Sequence, residues 1–432
     1  MKTYQLHDIG EIIRKVRKQR GFRLEDLADD NISVATISNI ERNVPHVSTD
    51  KVLYLLEKLN LSLDSLPRFM LEKKGELKAL NFKLLGAESL FSNGKWEKAL
   101  DILDSFELDD SHSLAAKVYY LKGKCFIKAD KWKKAERNLF KAIQLASQQE
   151  DRDNIEAASF NELAIICYFH NDLDKAIQFV TSGLDAFETN GKQGSLFWLL
   201  NMNKALFFER LGKLSDSMNI VLEVWESLET IDESDTVLIF YWLRTELLRR
   251  MGELKGSEKY ALAGIDIARR NSDFNQLFEL WVVLGCTYVD QEKYEDAEFS
   301  FEQALTLDGP KEHKLITAYA WLGKLYVLQK KWDQALPALE NALSLGKKHN
   351  DISRYGQALQ YMGDYFREKG EPDKAIVYYQ ESLELAQNHN MKKKEYIALF
   401  RLAQCWEGVS KEEFQQATVE AISQIIKMQT RS

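Results

Sequence analysis

The chain has 432 residues, 45% of them hydrophobic and 29% charged, with only 5 prolines; this is the composition of a helix-rich, water-soluble protein too long for one compact domain. With 66 acidic against 58 basic residues the net charge is −8, which, evenly spread, would argue against a nucleic-acid partner. No apolar run approaches the roughly 18 residues needed to cross a bilayer, and MKTYQLHDIGEIIRK has no apolar signal core, so a cytoplasmic protein without a membrane partner is expected.

The charge is not evenly spread. Residues 1–74 hold 13 Lys+Arg against 11 Asp+Glu, which leaves −10 for the rest, and residues 1–23 hold 7 basic against 2 acidic. A small basic head thus precedes a large acidic body, pointing to an anionic partner at the head. Ile9, Ile12, Ile13 and Val16 make an apolar stripe on a first helix ending near Gly21, and Leu24, Leu27 and Ala28 begin a short second one. A third helix runs through Ser33–Glu41 with Ser33 as its N-cap and Ile37 and Ile40 inward, and a fourth covers Asp50–Leu59 after Pro45.

Gly10, Arg14, Arg17, Gly21, Leu27, Ala28, Ser33, Ile37, Ser38, Glu41, Pro45 and Leu66 together resemble the helix-turn-helix domain of the Cro and phage-repressor family. The sequence departs from that pattern in having Arg23-Leu24 in place of Thr-Gln and Asn43 in place of Gly; Arg23 supplies charge where the Gln would grip phosphate, and Asn also enters the left-handed region. In such a domain the helix from Ser33 to Glu41 would enter the major groove of double-stranded DNA, carrying Val34, Ala35, Thr36, Ser38 and Asn39 toward base edges. Arg14, Arg17, Arg23 and Arg42 would clamp phosphates. A dimer on two half-sites of a palindromic operator is the matching form. The alternative is that these polar side chains solvate a protein-binding head.

The body is periodic. Its organising stretch, LFELWVVLGCTYVDQEKYEDAEFSFEQALTLDGP from Leu277 to Pro310, sets Trp281, Leu284, Gly285 and Tyr288 on one segment and Ala297, Phe301 and Ala304 on the next. That spacing resembles the tetratricopeptide repeat (TPR), a helical hairpin that must stack on copies of itself to bury its apolar face. Aligned small residues open the second helix of each unit at Ala99, Ala135, Ala176, Ser217, Ser257, Ala297, Ala335 and Ala375, at intervals of 36 to 41 residues. Twelve residues earlier stand Ala87, Gly123, Ala164, Ala205, Thr245, Gly285, Gly323 and Gly363. The expected fold is therefore all-α. A helix-turn-helix domain spans 1–70, a right-handed TPR superhelical solenoid of eight hairpins and a partial ninth spans 71–410, and a capping helix spans 411–432.

Stacked hairpins curve, and their first helices line a concave face suited to an extended peptide. Helical register places Asn161, Trp242, Glu246, Arg249, Lys324, Gln357, Gln360, Asp364 and Arg367 there, with Asn201 and Asn203 on the corresponding fourth helix. Amides can pair with a peptide backbone, and Arg249 or Arg367 could hold a terminal carboxylate.

A Cro-like head followed by repeats of about 40 residues resembles the Rgg, Rap, NprR, PlcR and PrgX group of peptide-responsive regulators, and the number of repeats fits the NprR-like branch. The resemblance implies a quorum sensor that binds a short signalling peptide in the groove, acts as a homodimer or higher homo-oligomer, and controls transcription. In that branch the peptide-free protein also binds a response-regulator protein of a phosphorelay and delays sporulation, which is the alternative reading. Enzyme motifs for nucleotide, zinc-protease or serine-hydrolase chemistry are absent. The 7 histidines are scattered and Cys125, Cys167, Cys286 and Cys405 form no CxxC pair, so no catalytic residue, metal or cofactor is expected.

Overall fold

A computed structural model describes the chain apart from residues 1–6, 43, 45–46, 62–65, 111, 149–152, 190–193, 229–230, 232–233, 390, 408–409 and 430–432. Asn43 and Pro45 therefore lie outside the described residues, and Leu66 opens a helix whose first side chains also do. The described residues are helical, with a single isolated bridge between Asp29 and Ile32 as their only extended pairing. The chain forms two units, Met1–Asp151 and Arg152–Ser432.

In the first unit, α1 (His7–Gln19), α2 (Val34–Glu41) and α3 (Thr49–Lys58) pack around Ile13, Ile37, Leu55 and Leu59, which are fully buried. The expected second helix is reduced to a single 3-10 turn, Glu25–Leu27. Asp29 is the reason. Its Oδ1 accepts the N–H groups of Asn31 and Ile32 at 2.8 and 3.0 Å, and this local side-chain bonding competes with helix propagation. Ser33 caps α2 by accepting the Thr36 N–H at 3.2 Å.

α4 (Leu66–Ser92) is one continuous helix, so the boundary expected at residue 70 falls inside it. With α5 (Trp96–Asp104) it forms the first hairpin, and α6 (Ala115–Lys128) with α7 (Trp132–Ala146) the second. The second unit holds seven more: α8 (Ile155–Phe169) with α9 (Leu173–Asp185), α10 (Ser195–Leu211) with α11 (Leu214–Trp225), α12 (Ser234–Arg250) with α13 (Leu254–Arg270), and α14 (Phe274–Asp290) with α15 (Tyr294–Thr306). Then follow α16 (Leu315–Leu328) with α17 (Trp332–His349), α18 (Ile352–Glu368) with α19 (Pro372–Asn388), and α20 (Lys392–Trp406) with α21 (Lys411–Gln429). The last pair corrects the expectation of a partial ninth repeat and a separate cap. α21 packs along α20 as a full second helix, burying Ala417 and Ala421.

All sixteen small residues of the two aligned series are buried. Where the first helix carries Gly, a large side chain sixteen residues later fills the space. A Cβ added at Gly123 would lie 2.7 Å from Leu139, at Gly285 2.6 Å from Phe301, and at Gly323 2.6 Å from Leu339. Where the second helix carries Ser, its hydroxyl donates across the hairpin: Ser217 Oγ to Ala205 O at 2.7 Å and Ser257 Oγ to Thr245 O at 3.0 Å. Five residues before each anchor the chain turns through positive φ, at Gly94, Asp130, Asn171, Gly212, Gly252, Glu292, Lys330 and Gly370. Gly, Asn and Asp enter that region readily; Glu292 and Lys330 are held there by the repeat itself. Within the second unit, Asn171 Nδ2 in the α8–α9 turn donates to His389 O before α20 at 3.0 Å, so the array comes round upon itself.

Candidate DNA-facing helix and candidate ligand groove

In the head, Ile37 and Ile40 turn inward, whereas Ser33 and Ala35 are exposed and Val34, Thr36, Ser38 and Asn39 are half-buried on the outer face of α2. Thr36 Oγ1 lies 2.9 Å from Ser33 Oγ, and Arg42 Nη2 donates to Asn39 Oδ1 at 2.9 Å, so the Asn39 oxygen is engaged and its Nδ2 remains as the donor group. Arg42 and Arg23 are exposed, as phosphate contacts require.

Two of the expected phosphate clamps sit differently. Arg17 is 8% exposed; its Nε and Nη2 donate to Glu41 at 2.5 and 2.9 Å and its Nη1 to Phe22 O at 2.7 Å. The Glu41 hydrogen bond holds the guanidinium above the ordinary arginine range. This is a buried pair locking α1 to α2, which removes Arg17 from the phosphate-facing set. Arg14 Nη2 donates to both oxygens of Asp109 at 3.0 and 2.9 Å, Lys18 Nζ donates to the same carboxylate at 2.9 Å, and Lys15 Nζ reaches Glu76 at 2.7 Å. Acidic residues of α4 and of the α5–α6 connection thus engage the basic side of α1.

In the second unit the first helices lie side by side, and their facing side chains form one polar row. Arg249 Nε and Nη2 donate to Glu246 at 2.9 and 2.8 Å, and its Nη1 to Asp290 on α14 at 2.5 Å. Enclosure opposes that charge, yet Glu246 holds it above the ordinary arginine range. Lys324 Nζ stands 4.1 Å from the Trp321 ring centre and 5.6 Å from that of Tyr361; enclosure depresses its ammonium below the usual lysine range. Asp364 accepts from Tyr379 Oη at 2.6 Å and pairs with Arg401 Nη2 at 2.8 Å, and Arg401 Nη1 donates to Gln360 at 3.1 Å. The buried Gln360 Nε2 has no hydrogen-bond partner among the described residues. A buried amide donor without an acceptor is the type of group a peptide carbonyl would complete.

Glu246, Arg249, Lys324, Gln360 and Asp364 are therefore brought together. Asn161 is taken up between neighbouring first helices, its Oδ1 accepting from the buried Asn203 Nδ2 at 2.8 Å. Asn201 Nδ2 bonds its own helix at Phe197 O, 2.9 Å away. Trp242 packs into the apolar core shared by α12, α13 and α14, and Gln357 donates to Tyr361 Oη at 3.0 Å. Arg367 is engaged by Gln404 and Glu368 at 2.6 and 3.0 Å. Asp290, Trp321, Tyr361 and Arg401 complete the row and were not singled out by register, because they lie one or two positions off the groove-facing series. The four cysteines are buried free thiols, with burial pushing Cys125 up to about 11. Among the described residues no cluster of His, Cys, Asp and Glu could hold a metal, and no helix is long and apolar enough to cross a membrane.

Residues 13–66 match the family model described as helix-turn-helix, and residues 278–310 and 314–388 match tetratricopeptide-repeat models. Residues 69–142 match a model described as anaphase-promoting complex, cyclosome, subunit 3. A human protein, tetratricopeptide repeat protein 29, is 21% identical over 271 residues, 57% of this chain; the chain spans only 55% of that curated relative's length. Among solved structures, a Rap protein complexed with competence and sporulation factor superposes with a TM-score of 0.60 at 12% identity, covering 82% of this chain and 100% of the other. The apo form of the quorum sensor NprR from B. thuringiensis gives 0.54 at 16% identity, covering 78% and 97%. Rap and NprR are two of the group that the sequence resembles, and this chain shares their fold.

Proposed function

We propose that the chain is a cytoplasmic transcription regulator that binds DNA through α2 and is controlled by a short signalling peptide held on the first-helix row of the second unit. The observation that carries the reading is the pairing, on one chain, of a helix whose Ala35 and Asn39 side chains face out over an Ile37–Ile40 core with a row that offers both charge and an unmet buried amide donor at Gln360. Asn39 presents amide donors suited to a base edge, and Arg23 and Arg42 supply phosphate contacts on either side of it. A homodimer on a palindromic operator follows from the few base pairs one such helix can read. The Rap and NprR likenesses support the peptide half of the reading, since the Rap structure holds competence and sporulation factor.

One observation favours a second reading. Asp109 and Glu76 occupy Arg14, Lys15 and Lys18, so part of the basic head is satisfied without DNA, as in a protein that works by docking on a response regulator. Electrophoretic shifts with genomic fragments at several salt concentrations separate the two. The DNA reading expects a sequence-preferring complex whose affinity falls steeply with salt, and Asn39→Ala should flatten preference at one base position by about 1–3 kcal/mol. Binding without sequence preference, or none at all, leaves the docking reading.

A further inference from the structure

The ion pairs along the row account for most of its charge, and one place is left over. At the C-terminal end of α10, Glu209 is 4% exposed; Arg250 donates to its Oε1 and to its backbone carbonyl, and Arg210 Nε lies 3.5 Å from its Oε2. Lys394 on α20 donates to Ser353 O and Oγ at 2.6 Å each, and among the described residues neither it nor its neighbour Lys393 forms an ion pair with a carboxylate. The other nearby carboxylates are committed elsewhere: Glu246 to Arg249 at 2.8 Å, Glu279 to Lys314 at 3.0 Å, and Asp351 to Arg354 at 2.6 Å. The turn-to-turn bond from Asn171 to His389 brings α20 toward the early hairpins, so that Arg210 acts electrostatically on Lys394 and Arg250 on Lys393. Two arginines thus meet on the one carboxylate of Glu209, while Lys393 and Lys394 beside them form no ion pair among the described residues. In a chain of net charge −8 such a local excess is kept against mutual repulsion, and desolvation together with the neighbouring arginines lowers both ammonium groups, a cost that a bound anion would offset.

We propose that Arg210, Arg250, Lys393 and Lys394 form a carboxylate subsite that receives an acidic group of the bound peptide, either an Asp or Glu side chain or the C-terminal carboxylate. The inference rests on the peptide reading above and narrows it. An anion there neutralises the surplus charge and touches helices from both ends of the array, and a carboxylate matches the planar donors of two arginines flanked by two ammonium groups.

The test uses the full chain immobilised and offered a synthetic random heptapeptide library in free-acid and C-amidated forms, with retained peptides sequenced by mass spectrometry. The wild type is compared with Lys393→Gln, a change at an exposed side chain, and with the Lys393→Gln/Lys394→Gln pair, both checked for folding by circular dichroism. The expected result is acidic sequences enriched about tenfold on the wild type over the double variant, as for loss of one partly desolvated ion pair. Enrichment confined to free-acid peptides assigns the C-terminal carboxylate, and enrichment of Asp and Glu in both forms assigns a side chain. Peptides retained equally by wild type and variants without acidic bias overturn the subsite and leave the peptide reading standing. Retention of no peptide by any form overturns both.

Discussion

Gly285→Ala should loosen the sixth hairpin although it adds a single methyl group. The new Cβ would sit 2.6 Å from Phe301 Cε1 and 2.8 Å from Cδ1 and Cζ, whereas carbon atoms rest about 3.5–4.0 Å apart. Phe301 is fully buried and cannot swing aside, so α14 and α15 must separate by about an ångström, and overpacking of this kind costs about 1–3 kcal/mol. Other hairpins show how the same crossing is closed differently: Ala164 with Val180, and Ala205 with Val221, at the corresponding positions. Phe301→Val alone opens a cavity and is destabilising, but combined with Gly285→Ala it should cost at least about 1 kcal/mol less than the sum of the two. Because a stacked array need not unfold in one step, the measurement is hydrogen exchange of α14 and α15 amides in the four proteins. Unchanged protection in Gly285→Ala, or a double variant no better than additive, would refute the account of the seam.

Arg17→Ala leaves the Glu41 carboxylate buried without its partner and should destabilise the head by about 3–5 kcal/mol, seen as early loss of α1–α3 exchange protection. Asp109→Asn should release Arg14 and Lys18 from that carboxylate, strengthening DNA binding at low salt and steepening the logarithmic salt dependence by about 1–2, near 0.9 for each phosphate newly contacted; an unchanged slope would mean these cations face elsewhere. Lys394 supplies a pH test. Desolvation, then Arg210, with Arg354 adding and Asp351 opposing, lower its ammonium to about 7 in the fold. Above that value the unfolded chain holds a proton that the folded chain has lost, so stability should rise with pH from about 7 toward the ordinary lysine value of about 10.4. Below about 7 both forms are protonated and the penalty is fully present. Lys394→Met should remove that rise in thermal melts across the window.

Packing within each hairpin was legible in the sequence because it repeats: the small positions, the positive-φ turns and the inward face of α2 all recur at fixed spacing or obey helical period. The Arg17–Glu41 lock was legible in principle. Arg17 lies four residues after Ile13 and Glu41 four after Ile37, which places each on its helix's buried stripe, although a basic side chain in the head has the charge of a phosphate contact as well. Partners between hairpins were not legible. Whether Arg249 meets Asp290, or Asn161 meets Asn203, depends on the rotation from one repeat to the next, and intervals that vary from 36 to 41 residues leave that rotation open. The second helix of the head was misjudged for a local reason, the side-chain bonding of Asp29.

The unbroken α4 gives the first unit a shaft. Twenty-seven residues at about 1.5 Å each make a rod of about 40 Å, uninterrupted from Leu66 to Ser92. Lys15 of α1 reaches Glu76 on this rod at 2.7 Å, so in the proposed dimer the distance between the two α2 helices would follow how the rods are held, as the span of a caliper is set at its pivot. On the proposed function, inserting residues that interrupt this rod would uncouple DNA reading from peptide control.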